Sequence, residues 1–375
     1  MASSNNSKTI SVAHPHTIKK FELIEEYITT WADILLLNPK CNGIIFIDCM
    51  CNSGVYTDDD GNAVYGTPIR VSKVLLAAAR RYPAKQVHIY LNDNSEEKID
   101  LLSKYLPPNE RNFQIITTTI DGNDLLKQIG PQLYGPNHMH YFLLYDPYDA
   151  SINWDALLPF FRNWGEVMIN HMVSDPVRAI RSAKKRTTKE KYENTYLEEF
   201  EKLVPYGSDM KAYEARVEEI INTLKGNRRY FVAAFPFFNT QNAQMYYLIH
   251  CTSNLRGFKL YKTSAWKVFD AQSAGKRSSE DRQLTFDLFE DTTEVDTKSC
   301  MHIFDIAKYL QRTFKGRQNV PLDEIWKTLE YHPVFPSDGF RRDIKKELTE
   351  SFGAKIDKIT NANTGKRETV ISFSL

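Results

Sequence analysis

The sequence predicts a doubly wound, Rossmann-like α/β sheet followed by a small C-terminal winged-helix α+β domain. Three observations carry that prediction. Short apolar runs alternate with helical patterns from residue 17 to about 226, which implies parallel βαβ units. The runs end repeatedly in an acidic residue. Around residue 300 the character changes to three helical patterns and a hairpin.

The elements follow in order. Residues 1–13 are polar and predict a disordered tail. TIKKFELIEEYITTWADILLL (17–37) puts Phe21, Ile24, Ile28, Trp31 and Leu35 on one helical stripe. GIIFID (43–48) is a continuous apolar run, as in a strand buried on both faces. Residues 68–82 predict a helix, 87–92 a strand, and 95–106 a helix with Ser95 at its N-cap. Strands are expected at 113–120, 139–146 and 166–172, with helices at 124–129, 154–164 and 213–226. YFVAAFPFF (230–238) and MYYLIHCTSN (245–254) predict two closing strands, antiparallel at one edge. Residues 14–270 thus form one domain, 271–299 a linker, and 300–375 the second domain.

Composition bounds the function. The 375 residues are 42% hydrophobic and 25% charged, typical of a soluble globular chain. No apolar stretch reaches membrane-spanning length and the N-terminus has no signal-peptide core, so no membrane association is expected. Five cysteines form no disulfide framework, and the expected compartment is the reducing cytoplasm. A net charge of +1 does not announce nucleic acid, so local clusters must carry that claim.

Ligands of open α/β sheets bind beyond the carboxyl ends of the strands. The first strand ends at Asp48, and the turn Cys49-Met50-Cys51-Asn52-Ser53-Gly54 follows it. Asn52 and Gly54 suit a turn that needs positive φ. Asp93, at the second strand end, suits a pair of ribose hydroxyls. Asp121, at the third, suits an adenine amino group. Capping of the next helix is the competing reading for each. Three such acids without a G-x-G-x-x-G favour S-adenosylmethionine (SAM) over NAD.

The fourth strand ends in Asp146-Pro147-Tyr148, similar to the D-P-P-Y motif of amino-group methyltransferases. There the acid and a backbone carbonyl hold an exocyclic amine and the aromatic ring stacks on a flipped base. The second proline is absent here.

Together His16, Thr17, Lys20, Tyr27, Trp31, FIDCMCNSG, Gly66-Thr67-Pro68, DPYD, MINHM and YYLIHCTS resemble the three-Cys-motif partner protein family (TcmP-like) over roughly residues 14–270. The resemblance implies a bacterial protein with a class I SAM-dependent methyltransferase fold. It also implies a radical-SAM-like partner with three cysteines. In that family the ligand loop reads D-x-F-A-G-P-G; Asp48, Met50 and Gly54 keep its frame.

Two clusters suggest nucleic acid, DNA ahead of RNA. RAIRSAKKRTTKEK (178–191) has seven Lys/Arg and one Glu, including Arg181, Lys184, Lys185 and Arg186. Arg341, Arg342, Lys345 and Lys346 lie on the third C-terminal helix, with Lys366 and Arg367 at the hairpin tip. Solvated helix faces, or a protein partner for the winged helix, are the other readings. Metal is not expected: Cys49-x-Cys51 lacks a second pair for zinc, and His14-x-His16 is an isolated couple. His138, His140, His171 and His250 are expected to be structural.

Two functions follow: a SAM-dependent methyltransferase acting on a base amino group of nucleic acid, or a non-catalytic nucleic-acid-binding or adaptor subunit of a bacterial defence-type complex with a degenerate SAM fold.

Overall fold

The computed structural model describes residues 9–134, 139–162, 164–172, 185–203, 216–217, 219–222, 230–276, 300–360 and 365–375. Residues 1–8, Arg181, Lys184, residues 277–299 of the expected linker and most of the expected helix 213–226 lie outside them. The chain divides into two units, Met1–Phe258 and Lys259–Leu375.

Among the described residues the main sheet of the first unit has seven strands: β1 (Gly43–Asp48), β2 (Gln86–Asn92), β3 (Phe113–Thr118), β4 (Met139–Tyr145), β5 (Gly165–Met172), β6 (Phe231–Phe238) and β7 (Gln244–Thr252). Their order across the sheet is β3-β2-β1-β4-β5-β7-β6. The first five pair in parallel, and β7 runs antiparallel to both of its neighbours. This is the doubly wound, Rossmann-like arrangement of class I methyltransferases. β1 lies between β2 and β4, and all six of its residues are buried, as its unbroken apolar run requires. Pro236 interrupts the apolar run of β6 without breaking the sheet, because β6 is the edge strand and a proline there loses no obligatory partner.

Helices α1 (Pro15–Leu37), α2 (Thr67–Arg81), α3 (Glu96–Ser103) and α4 (Gly122–Ile129) pass between the parallel strands or precede them. Ser95 caps α3 by accepting the Lys98 amide, as expected. Two local expectations fail. The helix expected over 154–164 is one turn, Trp154–Leu157, followed by a 3-10 turn Leu158–Phe160. Pro159 has no N–H to continue it. Within the stretch expected as a disordered tail, Ser11–Val12 pairs in parallel with Val55–Thr57, which forms a hairpin with Ala63–Tyr65. Two- and three-residue strands are too short to show a period. The hairpin tip is set by Asp58, whose Oδ1 accepts the amides of Asp60 and Asn62 at 3.0 and 2.7 Å.

In the second unit, Ile303–Phe314, a short strand Val320–Pro321, Leu322–Glu330, Arg341–Phe352 and the strands Lys355–Thr360 and Arg367–Ser372 follow one another. The last strand lies between the other two. His302 and Asp305 close a capping box at the first helix. Ile306, Leu310, Ile325, Leu329, Leu348 and Val370 are buried in its core.

Candidate active site

A cavity of about 250 Å³ opens beyond the carboxyl ends of β1 and β4, lined among others by His16, Lys20, Asp48, Asn52, Asp146 and Tyr148. The turn after β1 is shaped from beneath by Asn92, the last residue of β2. Its Nδ2 donates to the carbonyls of Cys49 and Ile120, both at 2.9 Å. Its Oδ1 accepts from Thr118 Oγ1 and the Ile120 amide. Its backbone carbonyl accepts the Cys51 amide at 2.7 Å. The amide thereby ties three strand ends together. Asn52 and Gly54 adopt φ of 57° and 66°, the left-handed region that Asn and Gly enter most readily.

Asp48 is buried, and the Met50 amide approaches its Oδ1 at 3.4 Å. Burial first, and then the nearby Asp146 charge, push its carboxyl up to about 8. A carboxyl that keeps its proton near neutrality is a hydrogen-bond donor into the crevice. Burial and then Asp48 push the thiols of Cys49 and Cys51 well above their ordinary range, so neither supplies a thiolate at neutral pH. Both are small buried side chains in the turn. Cys51 lines the cavity.

Asp146 is held from two sides. Lys20 Nζ of α1 lies 2.6 Å from its Oδ2, and Asn170 Nδ2 of β5 donates to its Oδ1 at 2.6 Å. Pro147 and Tyr148 line the same cavity. Asp93 is fully enclosed. Its Oδ1 accepts the Ser95 amide at 3.0 Å, and its Oδ2 accepts the Asn52 amide at 3.1 Å. The Tyr148 hydroxyl also donates to Oδ2, and Lys98 Nζ lies 3.5 Å away. Asp121 lies apart from the cavity lining. It is the N-cap of α4, accepting the amides of Asn123 and Asp124 at 2.9 and 3.2 Å.

The structure therefore gathers Asp48, Asn52, Asp146, Pro147 and Tyr148 at one cavity and places Asp93 just behind it. Lys20, His16, Asn170, Tyr56 and Tyr246 line it too. Sequence reasoning assigned these five no site role. Lys20 and His16 stood among the residues that carried the resemblance, which was the signal available for them. His171 and His250 are held internally, His171 by the Tyr196 hydroxyl at 3.0 Å and His250 by Glu166 at 2.8 Å. No cluster of three or more His, Cys, Asp or Glu side chains that could hold a metal occurs among the described residues. No helix among them is long and apolar enough to cross a membrane.

Of the basic residues, Lys185 is the N-cap of helix Arg186–Tyr196, and Arg186 pairs with Glu190 at 2.7 Å. In the second unit Arg341 is engaged locally. It donates to Asp338 at 2.7 Å and lies 5.3 Å from the Trp326 ring. Lys346 lies 4.0 Å from Glu350. Arg342 and Arg367 are exposed on the helix and the last strand, Lys345 is half-buried on the helix, and Lys366 is exposed just before that strand.

No protein-family profile and no curated protein matches the chain. Among solved structures it is similar to Trm1 from Pyrococcus horikoshii in complex with SAM, at 12% identity and a TM-score of 0.33, over 64% of this chain and 57% of that one. The chain thus spans less than two thirds of that protein. An O-methyltransferase from Bacillus cereus in complex with SAH is similar at 13% identity, a TM-score of 0.32, and 61% and 80% coverage. Human methyltransferase-like protein 13 in complex with SAH gives 7%, 0.33, and 73% and 99%. All three were solved with SAM or SAH bound, and likeness at this level adds nothing to the fold that the sheet order already defines.

Proposed function

We propose that the crevice is a SAM site and that the chain is a methyltransferase acting on an amino group of a nucleic-acid base. The observation that carries the reading is the meeting of the β1 turn with Asp146-Pro147-Tyr148 around one cavity of about 250 Å³. The turn with Asp48, Cys49, Asn52 and Gly54 would hold the methionine end, and Asp93 the ribose. SAM supplies a methyl group on a sulfonium. Asp146, fixed in place by Lys20 and Asn170, would accept a hydrogen bond from the target amine and orient its lone pair. Tyr148 is 57% exposed at the cavity rim, where a ring can stack on a base.

The second unit has the element order of a winged helix, and we read Arg342, Lys345, Lys346, Lys366 and Arg367 as its phosphate-facing residues, with DNA ahead of RNA. The resemblance to the three-Cys-motif partner family extends the reading to a bacterial, cytoplasmic setting and a radical-SAM-like partner. A reducing compartment suits five buried cysteines outside any disulfide.

One observation favours the second reading, an adaptor without transfer activity: both key acids are already engaged inside the protein, Asp146 by Lys20 and Asp93 by Tyr148. Calorimetric titration of SAM into the full chain and Asp48→Asn separates the two. Heat from the wild type, reduced in the variant, is expected. No heat from the wild type removes the transferase reading. Where SAM binds, transfer of a labelled methyl group to mixed DNA and RNA should be abolished by Asp146→Ala; incorporation by that variant at the wild-type rate takes Asp146 out of the reaction.

A further inference from the structure

One oxygen of Asp93 has no acceptor capacity to spare. Each carboxylate oxygen offers about two lone-pair sites. Three donors crowd Oδ2, namely the Asn52 amide, the Tyr148 hydroxyl and the Lys98 ammonium, while the Ser95 amide meets Oδ1. The two amides belong to the β1 turn and to the capped start of α3, and neither can leave without unfolding its element. The two side-chain donors can leave by rotation. They also hold each other: Lys98 Nζ donates to the Tyr148 hydroxyl at 2.8 Å and lies 4.6 Å from the ring centroid. Burial and the bond to Asp93 hold the Tyr148 phenol far above its ordinary pKa, so it stays a donor. The residue is 57% exposed, so apolar burial is not what keeps it there.

We infer that Tyr148 is a latch over Asp93, opened by a ligand that carries a vicinal diol. The inference rests on reading the crevice as a nucleoside site. Two ribose hydroxyls supply two donors and replace those of Tyr148 and Lys98 one for one. Tyr148 is then released towards the acceptor end of the crevice. The same side chain thus serves the cofactor end while the site is empty and the acceptor end once it is filled. Cofactor binds first, and an acceptor arriving before it meets a Tyr148 whose hydroxyl is still tied to Asp93. Affinity for the diol is lowered by the fraction of molecules in which the latch is closed.

The test is calorimetric titration of SAH, and separately of adenosine, into the full chain as wild type, Tyr148→Phe and Lys98→Met. Phenylalanine keeps the ring and removes the donor. Both ligands should bind Tyr148→Phe about 10-fold tighter than wild type, from the loss of one hydrogen bond to a charged group. Lys98→Met should bind them tighter by a smaller factor. Equal or weaker binding to both variants, with the wild type binding normally, overturns the latch and leaves the nucleoside site standing. Absence of binding to all three proteins overturns the nucleoside site and the latch with it.

Discussion

Lys20 and Asp146 are 126 positions apart in the chain and 2.6 Å apart in the fold. The first comes from α1, ahead of the sheet, and the second from the end of β4. Their side chains are only 10% and 24% exposed, so solvent screens the pair weakly. Removing the ammonium leaves a carboxylate with one amide partner, Asn170. Lys20→Met should lower stability by about 1–3 kcal/mol. The double variant Lys20→Met with Asp146→Asn should recover part of that loss, because no charge is then stranded. Urea unfolding of the four proteins measures both.

Asp48 predicts an unusual pH dependence. Its carboxyl stands at about 8 in the fold, against about 4 in an unfolded chain. Between those values the folded protein holds a proton that the unfolded chain has released. Stability therefore falls as pH rises through that window. His171, pushed down to about 3 by burial, acts in the opposite sense below about 6.5, where the unfolded chain binds the proton first. The two effects overlap in acid, and above about 7 Lys262, pushed down to about 7 by burial, opposes Asp48 as well, because the unfolded chain keeps a lysine proton that the fold has lost. Asp48 is therefore read from the difference between two proteins: from about pH 5 to 8 the thermal midpoint of the wild type should fall relative to that of Asp48→Asn.

Gly54→Ala should destabilise the first unit by about 1–3 kcal/mol. The backbone there has φ of 66°, and an added Cβ would sit 2.8 Å from Leu102 Cδ1 and 2.9 Å from Pro68 Cγ. Asn52, also at positive φ, should accept glycine with little change. Differential scanning calorimetry of Gly54→Ala and Asn52→Gly distinguishes the two positions.

For the second unit the informative nucleic-acid variant is Arg342→Ala with Lys345→Ala. Arg341 is bound to Asp338 and stacked against Trp326, so its removal would disturb the fold as well as the charge. If this helix contacts phosphates, the double variant should lower the slope of log affinity against log salt by about 2 for duplex DNA. An unchanged slope in a fluorescence-anisotropy titration places the contact elsewhere.

Much of the sheet was legible because the signal is local. A run such as GIIFID needs only its own residues to declare a buried strand, and the last two runs lie close enough to declare their pairing. The acids at strand ends were equally visible, and so was the capping role that Asp121 takes, accepting amides two and three residues on in its own helix. The distant partners of the other acids were not. Asp93 is met by Tyr148, 55 residues on, and Asp146 by Lys20. Those contacts depend on how β4 and α1 come to lie beside the crevice, which no local pattern encodes. The hairpin at 55–65 was missed for a different reason: its strands are three residues each, and it takes a third from Ser11–Val12.

Asn92 has a consequence for how the crevice meets its ligand. Both amide hydrogens and both oxygens of that residue are spent on fixing the β1 turn and the end of β3. The shape of the floor is thus settled when the chain folds, and an arriving molecule does not have to order it. Selectivity at this floor becomes a matter of fit to a rigid template, and any adaptation to the incoming molecule falls to side chains such as Tyr148 at the rim.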